Sequence, residues 1–398
     1  MSVREFLLPV VEDPSVTTLT GEGGVVSGFL PAPTVQCHAA NLSVLPGGDL
    51  ACVWFGGTQE GVADIDVWMS VLAPSAVEWA EPVRLSSDPE RSEQNPVLWT
   101  TPAGEVWLLH TAQSAGNQDT AEVRRRVSTD GGRTFGPTRT FVPASAAGGV
   151  FVRQPPVVTP AGRWLLPVFR CPVAPGARWR GDEDDSVVLA SDDEGRTWRE
   201  VVVPASTGMV HMNVLVRPDS SLVAFYRSRW ADAVHRSVST DGGASWSAPE
   251  PTPLPNNNSS VQVSGDPAGG LVVAFNRIRA TEDTPRRESL YDEIGDEGIV
   301  DQVVSPVATA DGPRAVWGTP RAPMTLARSS DGGLTWDRSL DLEGGDGNCL
   351  TNDSRAGANH ELSYPSVLVV GDTVHVAYTW HRRAIRYARL PLALLAAG

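Results

Sequence analysis

Two carboxylates, Glu60 and Asp64, share a glycine-rich turn after an apolar run, Phe55-Gly-Gly-Thr-Gln-Glu60-Gly-Val-Ala-Asp64. Such a turn can bring backbone and acids against a ligand and exchange protons with it; the plainer reading is a solvated loop. His38, in Gln-Cys-His-Ala-Ala, is either a base or a histidine that only hydrogen-bonds within the fold. Arg153, ahead of Gln-Pro-Pro, offers a fork that grips a carboxylate bidentately, unless an acid on a neighbouring element takes it. Arg227, Arg229, Arg277 and Arg382 offer the same, with acids close by in sequence to pair with them. Asn95, Asn258 and Tyr364 add neutral polar groups ahead of apolar runs, and Trp179, Trp230 and Trp380 supply flat faces on which a ring-shaped ligand can stack.

The rest of the composition excludes other chemistry. All 32 basic residues are arginine, so neither a lysine Schiff base nor a phosphate-binding lysine exists. No H-E-x-x-H, G-x-S-x-G or phosphate-cradling loop occurs, and Cys37, Cys52, Cys171 and Cys349 lack metal-ligand spacing. The acidic run Asp292 to Asp301 lacks the ligand spacing of a calcium loop and reads as a solvated face, so neither metal nor cofactor is expected. A net charge of −15 argues against nucleic-acid or anionic-membrane partners. The N-terminal stretch has no basic start or long apolar run, which places the protein in the cytoplasm as an expectation; the oligomeric state is not legible.

These residues need a scaffold, and the repeats supply one. Ser128-Thr-Asp-Gly-Gly-Arg-Thr-Phe135 recurs as Ser191-Asp-Asp-Glu-Gly-Arg-Thr-Trp198, Ser239-Thr-Asp-Gly-Gly-Ala-Ser-Trp246 and Ser329-Ser-Asp-Gly-Gly-Leu-Thr-Trp336, with a decayed copy ending at Trp79. In each copy the aspartate can accept backbone N–H groups across a tight loop, glycine supplies positive φ, and the closing aromatic packs between sheets. The intervals suit one four-stranded blade each. Apolar alternation marks second strands near Asp49–Phe55, Val106–His110, Arg163–Phe169, Leu222–Tyr226, Leu271–Phe275 and Thr373–Tyr378. The expected fold is therefore all-β, a six-bladed β-propeller spanning residues 1–398 as one domain, with an insertion at 278–322 in blade five. The ring is expected to close by pairing Ala384–Arg389 with Phe6–Val11.

The repeat resembles the Asp-box of sialidases, and nearly the whole chain from His38 to Leu390 is similar to bacterial sialidase-like proteins with BNR repeats. His38-Ala-Ala-Asn-Leu with Trp54-Phe-Gly-Gly-Thr-Gln-Glu-Gly, Leu254-Pro-Asn-Asn-Asn-Ser259, Glu361-Leu-Ser-Tyr-Pro-Ser-Val and Val374-His-Val-Ala-Tyr-Thr-Trp-His-Arg-Arg carry that resemblance. It implies that strand openings and second-to-third-strand loops share one face. His38, Asn95, Arg153, His211, Asn213, Asn258 and Tyr364 would then meet Glu60, Asp64, Arg227, Arg229, Trp230 and Arg382 in one polar funnel, with the insertion as its cover.

It also implies three arginines on a sugar carboxylate, a tyrosine nucleophile activated by glutamate, and an aspartate acid/base. Tyr364 matches the tyrosine's place, and Asp64, with Glu60 as rival, matches the aspartate's. Where an arginine should open blade one, Gln36-Cys-His38 stands instead, and only Asp232 and Glu361 offer themselves as activator. The exchange argues against sialic acid and for another acidic, or a neutral, glycan. Three functions follow. The first is an exo-glycosidase on a terminal sugar. The second is a uronate lyase using His38 or Tyr364 as base with Arg153 neutralising the carboxylate. The third is a non-catalytic glycan-binding propeller.

Overall fold

The computed structural model describes residues 6–11, 13–116, 118–174, 177–287, 289–295, 298–299 and 313–396. Six antiparallel sheets follow one another along the chain as the blades of a propeller. In blade one the strands Gln36–Val44, Leu50–Gly57, Asp66–Leu72 and Val83–Arg84 run from the axis outward. Blades two, three and four start from Arg91–Thr100, Gly148–Val152 and Met209–Val216. Blade five begins at Gln262–Gly265, and its second and third strands, Leu271–Asn276 and Met324–Ser329, flank the long insertion. Each second strand lies where apolar alternation places it, because a strand buried on both faces must be apolar throughout. No described helix is long and apolar enough to cross a membrane.

The ring closes differently from the sequence expectation. Ala384–Pro391 of the last blade pairs with Val25–Phe29, in register Val26↔Arg389 to Phe29↔Arg386, and not with Phe6–Val11. The earlier segment runs beside blade five instead, Leu7 and Leu8 donating to the carbonyls of Asp341 and Leu342 at 3.1 and 2.9 Å. Both segments are apolar, but Pro9 lacks the N–H a ladder needs, whereas Val25–Phe29 has no proline. Closure by the N-terminal strand removes the free edge of the last blade.

The repeated turns fasten neighbouring blades. Asp331 accepts the Thr335 amide and hydroxyl at 2.9 and 2.6 Å, Ser329 accepts the Gly333 amide at 2.8 Å, and the other three copies repeat the pattern. Gly333 sits at φ +84° with Phe225 of the preceding blade against it, so a side chain there would meet both strain and the ring. Trp246 and Trp336 join the cores between blades, and Trp79, in the decayed copy, packs edge-on against Tyr387 of the last blade.

Candidate functional site

The innermost strands are regular except at one end. Their ladders break register between His38 and Asn41, Gln94 and Val97, Val210 and Asn213, and Ser363 and Ser366. At each break one residue takes a left-handed conformation: Ala39 (φ 61°), Asn95 (50°), His211 (57°) and Tyr364 (48°). Asn258, ahead of blade five's first strand, does the same at 55°. Non-glycine residues avoid this region, and a bulge re-aims the side chains beside it. The recurrent strain lies around the axis at the end opposite the Asp-box turns, as expected where a fold holds side chains for a purpose.

At the centre stands Tyr364, only 5% exposed. Its phenol oxygen accepts from Arg227 Nη1 at 2.5 Å, and its ring lies 5.4–5.5 Å from the guanidinium carbons of Arg153, Arg227 and Arg321. His38 packs beside the ring at 4.3 Å between centroids, and His211 at 5.7 Å. Arg227 also donates to Asn258 Oδ1 at 2.8 Å, and the Asn258 amide is held by the Val316 carbonyl at 2.9 Å. Arg153 reaches the carbonyls of Ala40, Tyr364 and Pro365, and Ser260 at 3.3 Å, which in turn meets His211 Nδ1 at 3.0 Å.

A second group of charges adjoins the first. Glu361, fully buried, accepts Arg382 Nε at 2.9 Å, Arg321 Nη1 at 3.2 and 3.3 Å, and Ser363 at 2.7 Å. Arg382 bridges onward to Glu60. Burial pushes the Glu361 carboxyl up, but Arg382 and Arg321 outweigh it and hold it far below the usual carboxylate range. Burial also pushes the His38 imidazole well down, and Arg382 adds to the effect, so the ring is neutral. His38 Nδ1 faces Thr379 at 2.9 Å and Glu361 at 3.5 Å, while its buried Nε2 has no hydrogen-bond partner. A proton on Nδ1 therefore leaves Nε2 as a lone pair, an acceptor for a ligand proton.

The structure thus brings His38, Glu60, Arg153, Arg227, Asn258, Tyr364 and Arg382 into one connected centre, and Asn95 reaches the same ring of bulges with its buried Oδ1 unpartnered. Other expected residues lie apart. Asp64 is exposed on the blade-one rim, accepts the Thr58 hydroxyl at 2.9 Å, and faces an open cleft of about 570 Å³ shared with Asp66 and Trp68. Its loop turns Glu60 inward, where Gln36 fastens the Glu60 amide at 2.6 Å, and leaves Asp64 outside. Arg229 is neutralised by Asp184 at 2.5 Å, and Arg277 pairs with Asp341. Trp230 packs over Gly208, Trp179 donates to Asp184, and Trp380 donates to Glu343, so all three rings are taken up in packing.

Arg321 is the member that sequence reading missed. It lies in the insertion's last residues, between Pro320 and the Ala322-Pro323 pair, and that rigid flanking was the available signal. From the same insertion, Leu290, Tyr291 and Trp317 pack with Phe151, Phe169 and Trp179 of blade three. Of the acidic run, Asp292 pairs with Arg287, while Asp296, Glu297 and Asp301 lie outside the described residues, as does Glu288. Of the two activator candidates, Asp232 holds its own loop and His235, and Glu361 serves the arginines. Among the described residues no carboxylate bonds the Tyr364 oxygen; an arginine does.

The fold is a six-bladed β-propeller with a polar centre on its axis. Residues 48–376 match the BNR repeat-like domain family, and the chain belongs to it. Solved structures similar in fold include the Hadza microbial sialidase Hz136 at 15% identity, TM-score 0.64, over 91% of this chain and 67% of that one. The intramolecular trans-sialidase from Ruminococcus gnavus matches at 12% identity, TM-score 0.63, over 93% and 98%. The NanB sialidase from Streptococcus pneumoniae matches at 10%, TM-score 0.65, over 98% and 72%. At such identities the likeness is one of fold. No curated protein sequence matches the chain.

Proposed function

We propose that this protein is a glycan-processing enzyme that cleaves a terminal acidic sugar, with arginines around Tyr364 clasping the sugar's carboxylate and Tyr364 as the reacting group. One observation carries the reading. Among the described residues, Arg153 and Arg227 are buried beside Tyr364 with no carboxylate partner, and Arg153 Nη1 and Arg227 Nη2 have no hydrogen-bond partner. Buried cationic N–H groups without acceptors are costly, and a ligand carboxylate supplies the acceptor in bidentate geometry. Because the Tyr364 oxygen accepts from Arg227, its own proton is left to point elsewhere and to be given up. As the oxygen attacks the anomeric carbon its proton passes to the unpartnered Nε2 of His38 beside the ring, the glycosidic bond breaks and the departing oxygen takes a proton; water then cleaves the tyrosyl–sugar bond and the phenol regains its proton. Glu60 is bonded to Arg382, which leaves Asp64, on the rim of the same loop, as the carboxyl to protonate the departing oxygen on this reading.

A second reading has its own support. The family's activating carboxylate is replaced by Arg227, and His38 offers a free Nε2 lone pair beside the ring, the set that eliminates across a uronide: a base, and an arginine that neutralises the carboxylate. The test is a panel of sialosides, uronides and neutral glycosides. Hydrolysis releases a reducing sugar with no new ultraviolet absorbance, and elimination leaves an unsaturated product that absorbs. Turnover of neutral glycosides alone, or of none, refutes the acidic-sugar enzyme.

A further inference from the structure

The two histidines beside Tyr364 are held in opposite ways. His211, on the innermost strand of blade four, is buried and stands at that strand's left-handed bulge. Its Nδ1 faces Ser260 Oγ at 3.0 Å, and no described residue bonds its Nε2. Ser260, fully buried, also accepts Arg153 Nε at 3.3 Å. A guanidinium only donates, so the serine hydrogen has to go elsewhere, and His211 Nδ1 is the one acceptor that the described residues offer it. Nδ1 therefore presents a lone pair. Burial, with Arg227 adding to it, pushes the His211 imidazole well down, and a neutral ring that accepts at Nδ1 carries its proton on Nε2.

His38 begins from a similar arrangement and ends differently. Thr379 faces its Nδ1 at 2.9 Å and accepts the Ala39 amide at 3.1 Å, but the Glu361 carboxylate lies 3.5 Å from the same nitrogen and calls for a proton there. A charged acceptor outweighs a hydroxyl. The leading charges on His211 are those of Arg227, Arg229, Arg153 and Arg321, none of which accepts a proton from it. His38 thus presents an acceptor beside Tyr364, and His211 a donor. Ser260 with His211 also has the form of a nucleophile and its base, but the serine is fully buried and its oxygen already takes Arg153, so the pair fixes the tautomer instead.

We propose that His211 is a substrate-binding residue, whose Nε2–H, a neutral donor between Arg153 and Arg227, hydrogen-bonds the carboxylate of the bound sugar. The proposal rests on the acidic-sugar reading and adds to its arginines a donor that carries no charge. His211 reaches Arg153 through Ser260, lies edge-on to the Tyr364 ring at 5.7 Å between centroids, and feels Arg227 more strongly than any other charge. A carboxylate has about four acceptor sites, and the unpartnered Arg153 Nη1 and Arg227 Nη2 occupy two of them, which leaves the same anion able to take a third donor.

Nuclear magnetic resonance of ring-nitrogen-labelled histidine at pH 7 reads the tautomer directly. The resonance that disappears in His211→Gln is expected to belong to a neutral ring protonated on Nε2; a ring protonated on Nδ1, or an imidazolium, overturns the proposal. Binding of D-glucuronate, N-acetylneuraminate and acetate is then measured by calorimetry at constant ionic strength. His211→Gln puts an amide N–H in place of Nε2–H and is expected to hold the tightest of the three within about threefold of wild type. His211→Phe keeps a ring without a donor and is expected to weaken it at least about tenfold, the worth of a hydrogen bond to a charged group. Unchanged binding in His211→Phe, or equal losses in both variants, overturns the donor while leaving the acidic-sugar reading intact. Binding of none of the three by the wild-type protein overturns that reading and the donor with it.

Discussion

Replacing Glu361 with glutamine tests whether one carboxylate holds the site together. The substitution keeps shape and one acceptor oxygen but puts an N–H₂ where Arg321 Nη1 and Asn359 Nδ2 now donate, at 3.2 and 3.3 Å. Donor then faces donor, and Arg321 loses the one acid it meets among the described residues while Arg382 keeps Glu60. Removing one member of a buried ion pair costs about 3–5 kcal/mol, and a residue that serves two guanidiniums belongs toward the upper end. Urea unfolding followed by tryptophan fluorescence at pH 7 measures the loss. Because the folded carboxyl is held far below its unfolded value of about 4.3, its contribution is complete above that pH and declines as the pH falls toward the folded value. The gap between wild type and Glu361→Gln therefore narrows by about 2 kcal/mol between pH 7 and pH 3. A loss under about 1 kcal/mol at pH 7, or one that does not change with pH, would refute the network as drawn.

Four further outcomes follow from the same geometry. Tyr364→Phe keeps the packed ring and should leave circular dichroism unchanged while cutting turnover on the responsive glycan by roughly a hundredfold or more. Arg227→Met removes an unmatched buried charge and should raise stability by about 1 kcal/mol in urea, the exchange of stability for function common at binding sites. His38 and His211 are held neutral, so the unfolded chain gains protons first as pH falls below about 6.5; stability should drop by up to about 1.4 kcal/mol per pH unit for each, a slope that His38→Gln with His211→Gln flattens. Gly333→Ala places a Cβ 2.4 Å from Phe225 at φ +84° and should cost about 1–3 kcal/mol, visible as a lowered urea midpoint.

What the sequence determined by itself is the architecture. Four Asp-box turns and six apolar second strands are local signals: the turn needs its aspartate, glycine and aromatic within eight residues, and the strand its alternation within seven. The blade count follows from such short-range chemistry, whereas the placing of the turns at one end was implied by the family resemblance. Ring closure does not, since two N-terminal segments were apolar enough to pair and only the three-dimensional ladder chose Val25–Phe29.

The site was legible as a list of residue types and illegible as a set of partners. His38, Arg153, Arg227 and Tyr364 stood out as polar groups at strand ends, but the left-handed bulges that aim them are occupied by Ala39, Asn95, His211 and Tyr364, which carry no glycine mark. Asp64 and Glu60 share one loop, and nothing local decides that Glu60 turns inward to Arg382 while Asp64 stays on the rim. Arg227 and Arg229, two residues apart, look alike in the sequence; among the described residues one meets Tyr364 and no acid, the other meets Asp184, whose charge offsets its own. Pairing depends on which distant blade supplies the opposite charge, and that is decided only when six sheets close around one axis.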